Sequence, residues 1–419
     1  MNRGSVMRFD TFVLGGGIIG VSVATHLQMR GRSVALIDLK LPGSETSFGN
    51  AGLIQREGVY PYAFPREIGS LIKYAFNRSP EVRYHPKSIL RLVPFLWKYW
   101  SNSHPLRHAE IARSYATLIE HSVSEHHLMA QAAGVSHLLR QGGWLKVFRT
   151  AKKQDIEMQF AEKCQVEYGI KFESLDTISL RQIEPDLDTS LLGALRYTEA
   201  ESVSDPGALV RAYAKHFEGL GGRFFFGNAN TLSNGWTLKT EEGKIRANSA
   251  VITLGPWADV LTSRLGYRFP LAVKRGYHMH YDMRPDARLT HPVLDIENGY
   301  VMAPMSRGIR LTTGAEFARR DSRKTPVQLN SVEPIARTLF PITKRLEELP
   351  WMGCRPCTPD MLPVIGQASR HRDLWFAFGH AHHGLTLGPV TGRLLAEMMT
   401  GDELITNPDP FSANRFKST

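Results

Sequence analysis

A glycine-rich turn between two apolar runs constrains the fold of this chain more than any other feature. Residues 10–14 are mostly apolar, residues 15–20 read Gly-Gly-Gly-Ile-Ile-Gly, and residues 33–38 form a second apolar run that ends in Asp38. With a helical stretch to Arg30 between the two runs, this order predicts a β-strand, a tight turn, a helix and a second strand.

The three motif glycines and the terminal acid each have a place in a dinucleotide site. Gly15 permits the tight turn, and Gly17 lets a pyrophosphate approach backbone N–H groups at the helix N-terminus. Gly20 allows the helix to pack closely on the strand, and Asp38 is placed to accept hydrogen bonds from ribose hydroxyls. The unit predicts an adenine dinucleotide and leaves NAD and FAD undecided.

Length and composition predict an ordinary globular protein with two domains. The chain has 419 residues, which exceeds one typical domain. No apolar run reaches the ~18 residues that cross a bilayer, and the first apolar run lacks a signal-peptide cleavage site. The three cysteines, Cys164, Cys354 and Cys357, cannot form a disulfide framework. We therefore expect a cytoplasmic protein.

The net charge of +11 is scattered along the chain, and no nucleic-acid-binding module accompanies it, so no nucleic-acid partner is expected. Diffuse positive charge favours attraction to small anions or anionic lipid. Residues 73–113 interleave aromatic and basic side chains. This stretch is either a helical part of a substrate domain with its aromatics in the core, or a surface that rests on the cytoplasmic face of the inner membrane.

Periodicity predicts several further elements, and their alternation indicates that the chain crosses between two domains more than once. Helices are expected over residues 108–133, 152–168, 205–220 and 390–399. Strands are expected over residues 144–148, 192–197, 223–226, 250–254, 277–281 and 300–304, with 308–314 as a hairpin partner. The loop over residues 378–389 precedes the last helix, so its N–H groups would stabilise an anionic ring system.

Five motifs carry a resemblance that spans nearly the whole chain. They are the dinucleotide unit, residues 45–52, residues 141–150, residues 353–360 and the loop that begins at Gly379. Together they resemble the D-amino-acid dehydrogenase branch of the superfamily that includes D-amino-acid oxidase, glycine oxidase and sarcosine oxidase. The resemblance implies FAD as the cofactor.

The resemblance also implies an α/β fold, in which a Rossmann-type FAD-binding domain is interrupted by a mixed-sheet α+β substrate domain. We expect the FAD-binding domain to comprise residues 1–58, 203–264 and 346–419. Residues 59–202 and 265–345 would then form the substrate-binding domain.

The family's Gly-x-Arg-Pro arginine, which grips the substrate carboxylate, corresponds to Arg355. A guanidinium pairs bidentately with a carboxylate and keeps its charge. His278, His382, Tyr277 and Tyr300 are candidates for holding or shaping the substrate; alternatively, they are satisfied residues of the sheet core. The residues expected to contact FAD are Gly15, Gly17, Ile18, Ile19, Gly20, Asp38, Leu39, Lys40, Thr46, Ser47, Asn50, Ala51, Gly52, Leu53, Gly255, Trp257, Gly379, His380, Gly384, Leu385 and Thr386.

Neither the histidine cluster nor the cysteine pair predicts a further centre. No cysteine or carboxylate with ligand spacing accompanies His380, His382 and His383, so no metal is expected. Cys354 and Cys357 do not open a helix after a strand, as a redox pair would. In monomeric sarcosine oxidase a cysteine of this region bonds the flavin, but the aligned position here is Gly353, which predicts non-covalent FAD.

The resemblance implies oxidation of a small D-amino acid by hydride transfer from Cα to flavin N5, followed by hydrolysis of the imino acid. Electrons would pass to a quinone or another carrier. Residues 379–389 look closer to the hydroxyproline-type members, which favours D-proline or D-hydroxyproline. The alternatives are an N-substituted glycine, an opine or an L-imino acid as substrate, and a flavin-bearing subunit of a larger complex. No general base is assigned, and the oligomeric state is left open.

Overall fold

The computed structural model describes residues 6–77 and 82–416, which build two large β-sheets and a small third one. Arg78 of the aromatic and basic stretch lies outside the described residues. The strands are β1 (Met7–Leu14), β2 (Val34–Asp38), β3 (Leu53–Ile54), β4 (Val82–Tyr84), β5 (Leu139–Arg140), β6 (Trp144–Phe148), β7 (Phe172–Asp176), β8 (Gly193–Tyr197), β9 (Glu201–Val203), β10 (Arg223–Phe226), β11 (Thr237–Thr240), β12 (Gly243–Ile252), β13 (Ala272–Met283), β14 (Val293–Asp295), β15 (Tyr300–Met305), β16 (Gly308–Thr312), β17 (Ala315–Phe317), β18 (Ile342–Arg345), β19 (Trp351–Cys357), β20 (Val364–Gln367) and β21 (Leu374–Phe378).

Helices cover both large sheets. They are α1 (Ile18–Met29), α2 (Ile68–Ala75), α3 (Pro86–Asn102), α4 (Pro105–Ile119), α5 (Ser122–Ala132), α6 (Ala151–Tyr168), α7 (Thr177–Ile183), α8 (Pro206–Gly219), α9 (Ala258–Arg264), α10 (Val327–Leu339) and α11 (Gly384–Thr400). Within the two described ranges, no helix is both long and apolar enough to cross a membrane.

The first large sheet is the predicted dinucleotide-binding sheet. Its order is β10-β2-β1-β12-β21-β20, and the five strands from β10 to β21 run parallel. Helices α1 and α11 pack closely, and the glycine at position 392 permits this contact. A Cβ there would lie only 2.5 Å from the Ser22 carbonyl carbon. Since parallel strands end at the same edge, the turn after β1, Asp38 at the end of β2 and the turn after β12 meet at one edge of this sheet.

The second large sheet is mixed and is organised around the long strand β13. Strands β16, β17, β18 and β19 all pair with β13 in antiparallel fashion. Successive side chains on a strand point to opposite faces. Tyr277, Met279 and Tyr281 belong to the core of the second sheet, while Lys274 and Gly276, together with Tyr277, line a cavity.

Most predicted elements are confirmed, but the predicted helix over residues 108–133 is wrong. It is two helices, α4 and α5, which are separated at Glu120 and His121. The Ser122 hydroxyl donates to the Ile119 carbonyl, which is left without a helical partner at the end of α4. Strands β12 and β13 are also longer than predicted, because polar residues continue each strand beyond its apolar centre.

The last helix begins at Gly384, six residues earlier than expected, and includes Pro389. Proline has no N–H, so the Leu385 carbonyl four residues earlier loses its helical partner. His126 supplies the missing donor, because its Nε2 lies 2.7 Å from the Leu385 oxygen. A tertiary hydrogen bond therefore lets α11 run through a proline that suggested a later start.

The predicted domain boundaries stay predictions. The pairing of β19 with β13 connects residues 351–357 to the mixed sheet by hydrogen bonds. The chain rejoins the parallel sheet only afterwards, at β20 and β21. The strand order thus shows that the chain passes repeatedly between the two large sheets.

Candidate active site

The turn between β1 and α1 opens into a cavity of about 330 Å³. Gly15 has φ +121°, which a residue with a side chain rarely adopts. A Cβ on Gly20 would lie 1.8 Å from the Gly15 carbonyl oxygen, so only glycine permits this approach of helix and turn. The N-terminus of α1 has no side-chain cap from Gly17. Its N–H groups therefore suit an anionic group such as a pyrophosphate.

Asp38 lies at the end of this cavity, on the last position of β2. Its carboxylate accepts hydrogen bonds from the Gly16 and Lys40 backbone N–H groups, at 2.5 and 3.0 Å. Burial raises the pKa of Asp38, although these backbone hydrogen bonds oppose the shift. The neighbouring Lys40 is engaged with Glu45.

A second cavity of about 510 Å³ lies against the mixed sheet. The two cavities share Ile18, Thr46, Ser47, Ala381 and Gly384 in their walls. Ser47 lies at this junction, and its hydroxyl accepts a hydrogen bond from the Ile18 N–H at 3.0 Å. The joined shape fits an extended dinucleotide with its adenosine end near Asp38 and its other end near the mixed sheet.

The sequence-predicted cofactor residues fall into three groups by position. Most line the first cavity: Gly15, Gly17, Ile18, Ile19, Asp38, Leu39, Lys40, Thr46, Ser47, Gly255, Trp257, Gly379, His380 and Gly384. Asn50, Ala51, Leu53 and Leu385 line the second cavity. Gly20, Gly52 and Thr386 line neither cavity, but they support residues that do. For example, the Thr386 hydroxyl donates to the Leu53 carbonyl and accepts from the Gln55 N–H.

Arg355 projects from β19 into the second cavity. Its guanidinium donates to the Gly314 carbonyl at 3.0 Å and, more weakly, to that of Thr313 at 3.4 Å. Within the described part of the chain, it forms no ion pair with a carboxylate. Burial lowers the pKa of Arg355, yet a guanidinium stays charged at neutral pH. A partly buried cation without a counter-ion is a suitable anchor for a substrate carboxylate.

The position of Arg355 depends on a glycine in the neighbouring strand. A Cβ on Gly276 would lie 2.6 Å from Nη2 and 2.8 Å from Nη1 of Arg355. The guanidinium therefore occupies the space above Gly276. Gly276 is a positioning residue that sequence reasoning missed.

His382 lines the second cavity. The other two histidines of the cluster, His380 and His383, are instead engaged with neighbouring side chains. The His382 ring lies 4.4 Å from the ring of Tyr62. Burial lowers the pKa of His382 well below its usual range, with smaller effects of His383 and Arg355. His383 lies between the Tyr115 hydroxyl and the Gln55 side-chain oxygen, at 2.8 and 3.2 Å.

His380 contacts Thr391 through Nε2, at 3.0 Å. Burial lowers the pKa values of His380 and His383 to about 3, so both rings are neutral at pH 7. Over residues 6–77 and 82–416, no three His, Cys, Asp or Glu side chains gather in a cluster that could hold a metal ion.

Tyr277 belongs to the wall of the second cavity, whereas Tyr300 does not, and the hydroxyl groups of both are engaged with buried acids. The Tyr277 hydroxyl donates to Glu316 at 2.9 Å, beside Arg275, in the buried layer behind the sheet. The Tyr300 hydroxyl donates to buried Asp295 at 3.0 Å. These contacts favour the alternative that the two tyrosines are satisfied residues of the sheet core, and their role toward the substrate stays a prediction. Gly299 and Val301 line the cavity, so strand alternation turns the side chain of Tyr300 away from it.

His278 is not a free side chain available to a substrate, because it packs against an aromatic ring. Its ring stacks on Trp351 at 4.8 Å, and burial lowers its pKa to about 2. The Trp351 ring in turn covers Gly49 and Gly353, where a Cβ would lie 1.8 and 2.1 Å from ring atoms. A cysteine at position 353 would therefore displace Trp351.

The cysteines differ in their relation to the cavities. Cys354 and Cys357 are both free and buried, but only Cys357 lines the second cavity. Burial raises the pKa of each thiol, which makes thiolate chemistry unfavourable at neutral pH. Non-covalent attachment of FAD stays a prediction.

Sequence reasoning also missed Lys274 and Tyr62, which line the second cavity. Lys274 is followed by Arg275 and lies outside the predicted strand over residues 277–281, so no local sequence signal identified it. Tyr62 lies in a segment without regular secondary structure. No local pattern distinguishes it there.

Comparisons with known proteins agree with this geometry. The sequence profile of a family described as DAO, FAD dependent oxidoreductase, matches residues 10–398. A D-amino-acid oxidase of Bradyrhizobium diazoefficiens is 29% identical, over 96% of this chain and 98% of its own length. A D-amino acid dehydrogenase of Chromohalobacter salexigens is 26% identical, over 97% and 99%.

A glycine oxidase from Geobacillus kaustophilus has the same fold, with a TM-score of 0.72, 23% identity and coverage of 98% of this chain and 100% of the other. The glycine turn, Asp38 and the joined cavities fit the cofactor that the family profile names. The chain belongs to the DAO family of FAD-dependent oxidoreductases.

Proposed function

We propose that this chain oxidises the Cα–N bond of a D-amino acid and passes the electrons to a quinone or another carrier. It is an FAD-dependent amino-acid oxidoreductase, as its family and its relatives indicate. The observation that carries the proposal is Arg355, a cation in the cavity that joins the FAD site. The names of two relatives, a D-amino-acid oxidase and a D-amino acid dehydrogenase, support the D configuration.

The residues of the cavity bind and orient the substrate. Arg355 would hold the carboxylate through a guanidinium that the Gly314 carbonyl keeps in place. The rings of Tyr62 and His382 line the same cavity and would limit the access of water to the amine. FAD, when bound, supplies the hydride acceptor. The protein's contribution is to fix the Cα–H in a reactive orientation.

Hydride transfer from a neutral amine requires no side-chain base, and the cavity wall offers a poor one. Among the described residues of the wall, the one carboxylate is that of Glu157, and it lies 2.7 Å from the Lys146 ammonium. His382 has a strongly lowered pKa and is a weak proton acceptor. We therefore assign no general base.

The acceptor and the location are part of the proposal. Helix α3 buries Phe95 and Tyr99 but exposes Leu90, Val93 and Trp97. Leu106, which is 74% exposed, follows at the start of α4. We place the protein in the cytoplasm, with this surface resting on the inner membrane, where a quinone is available. Sedimentation with phosphatidylglycerol vesicles, at low and high salt, tests the contact.

The test of function is a panel of D- and L-amino acids with an artificial electron acceptor, using the purified chain with FAD. We expect turnover of D-amino acids, and faster reduction of a quinone or dye than of O₂. The panel includes D-proline and D-hydroxyproline, which the loop over residues 379–389 favours. Activity confined to L-amino acids would overturn the stereochemical proposal, and no turnover by the isolated chain would favour a subunit of a larger complex. Acid precipitation should leave the yellow FAD in the supernatant.

A further inference from the structure

A second basic side chain, Lys274, lies beside Arg355 in the wall of the substrate cavity. Lys274 is directly opposite Arg355 in the pairing of β13 with β19. Both residues line the cavity. Like charges at directly opposite positions on two strands are destabilising, so the pair has a cost that packing alone does not explain.

Lys274 is buried, with 8% of its surface exposed, and its contacts include no carboxylate among the described residues. Its ammonium donates to the Tyr99 hydroxyl at 3.0 Å and contacts Sδ of Met361 at 3.8 Å. The ammonium also lies 4.1 Å from the centre of the Tyr99 ring. A buried ammonium usually has a counter-ion. The hydroxyl oxygen and the weak sulfur acceptor account for two of the three N–H donors of the ammonium. The third N–H can donate to an acceptor on a ligand in the cavity.

The charges around the whole cavity agree with this reading. The ionisable side chains of its wall are Lys153, Glu157, Lys274 and Arg355, together with the tyrosines, the histidine and the cysteine. The single acid of the described wall, Glu157, is already paired with Lys146. The cavity therefore presents a surplus of positive charge, and a ligand with two negative groups would balance it.

The spacing of the two cations suits a short ligand. The Arg355 guanidinium lies above Gly276, two residues along β13 from Lys274. Two strand positions span roughly 7 Å. A short amino acid with two carboxylates can extend between anchors at this distance while its Cα–N bond stays beside the FAD site.

We propose that the substrate is an amino acid with a second carboxylate, in which Arg355 binds the α-carboxylate and Lys274 binds the other one. The second carboxylate belongs either to the side chain, as in D-aspartate and D-glutamate, or to a substituent on nitrogen, as in iminodiacetate. This inference rests on the proposed function and narrows its substrate class. Neutral amino acids, including D-proline and D-hydroxyproline, become the weaker substrates.

The first experiment compares D-aspartate, D-glutamate and iminodiacetate with D-alanine, D-proline and D-hydroxyproline on the wild-type holoenzyme. We expect at least one dicarboxylate to exceed every neutral compound in kcat/KM by about tenfold or more. The best of the three shows whether the second carboxylate is on the side chain or on nitrogen. Efficient oxidation of neutral D-amino acids without this preference would overturn the inference and leave the proposed function standing. No turnover of any compound would overturn the proposed function itself.

The second experiment removes the charge with Lys274→Met, which keeps a long flexible side chain. We expect kcat/KM for the preferred dicarboxylate to fall by roughly 30-fold or more, the range for loss of one partner of a buried charge pair. The loss for neutral D-amino acids should be at least about tenfold smaller, because they have no second carboxylate for Lys274 to bind. The matched control is Lys98→Met, an exposed lysine next to Tyr99 on α3. Equal losses for both substrate classes would show that Lys274 is only structural.

A binding measurement covers the case in which Lys274→Met fails to fold. Succinate and butyrate are not amino acids, so their binding to the wild-type holoenzyme can be followed by the shift of the FAD absorbance. We expect succinate to bind at least tenfold more tightly than butyrate, with the difference lost in Lys274→Gln. Equal affinities in the wild type would contradict a second anion site.

Discussion

The two ends of the joined cavity are built in different ways. At the dinucleotide end, Gly15, Gly17 and Asp38 come from one short stretch of chain, and the Asp38 carboxylate accepts from the Gly16 backbone N–H. At the substrate end, Arg355, Gly276 and Lys274 come from two strands that are distant in sequence and meet through one antiparallel register. The first end depends on local conformation, and the second depends on which residues face each other across strands.

This difference predicts separable effects of mutation. A change at the glycine turn should remove the cofactor and with it all activity. A change on β13 or β19 should alter the substrate and leave the cofactor in place. The following substitutions test whether the two ends are independent.

The largest effect is expected for Gly20→Ala. Its Cβ would lie 1.8 Å from the Gly15 backbone oxygen, so the turn and α1 must separate. We expect the purified protein to lose most of its FAD and about 1–3 kcal/mol of stability, the usual cost of overpacking. FAD absorbance per protein and thermal unfolding measure both.

The control for this change is Gly219→Ala in α8, where a Cβ would meet nothing within 4 Å. This variant should keep its FAD and its melting temperature. A Gly20→Ala protein with full FAD content would show that the turn tolerates a side chain and that the local account of this end is wrong.

The next effect is expected for Arg355→Leu. Loss of the only guanidinium in the described wall of the second cavity should lower kcat/KM by roughly two to three orders of magnitude, because a carboxylate would be buried without its partner. The FAD content should not change. Steady-state kinetics with the best amino acid of the panel, together with the absorbance spectrum, measure the two ends separately.

Arg355→Lys should recover part of the activity, because it restores the charge without the bidentate geometry. Arg107→Leu, at an exposed surface pair with Glu110, is the control. An unchanged KM in Arg355→Leu would mean that another residue anchors the carboxylate.

A smaller effect is expected for Gly276→Ala, because Gly276 lines the second cavity and not the first. The added Cβ would displace the Arg355 guanidinium, whose side chain is flexible enough to move. We expect kcat/KM to fall about tenfold, mostly through KM, with stability changed by less than about 1 kcal/mol. If activity is unchanged, the position of Arg355 does not depend on Gly276.

The same contrast explains what could be predicted from the sequence. The turn, Asp38 and both flanking strands follow from neighbouring residues, and the structure confirms these elements. Arg355 was identified through a family motif, not through spacing. Tyr277 and Tyr300 were candidates for holding or shaping the substrate, with satisfied core residues as the alternative, and the hydroxyl of each donates to a buried acid.

Long-range contacts account for the remaining differences. The start of α11 could not be predicted because His126, far away in sequence, satisfies the carbonyl that Pro389 leaves free. Lys274 and Gly276 were missed because their role arises only when β13 pairs with β19. The sequence contains these residues but not the register that brings them together.

The smallest expected effect is a change in stability at acidic pH. Its measurement tests whether the buried histidines stabilise the fold that carries both ends of the joined cavity. Burial lowers the pKa of His126 to about 4, although its hydrogen bond to the Leu385 carbonyl opposes this shift. In the unfolded chain the pKa is about 6.5. Between these values the unfolded state binds more protons, so stability is complete above pH 6.5 and falls as pH decreases toward 4.

Each such histidine should contribute up to about 1.4 kcal/mol per pH unit in that window. We expect His126→Gln, whose amide can still donate to Leu385, to be less stable than the wild type at pH 7.5 but to lose less stability between pH 6.5 and 4.5. Urea unfolding at several pH values measures this slope, with the exposed His137→Gln as control. Equal slopes in all three proteins would mean that His126 is protonated without cost, and that the hydrogen bond which lets α11 pass through Pro389 does not depend on a neutral imidazole.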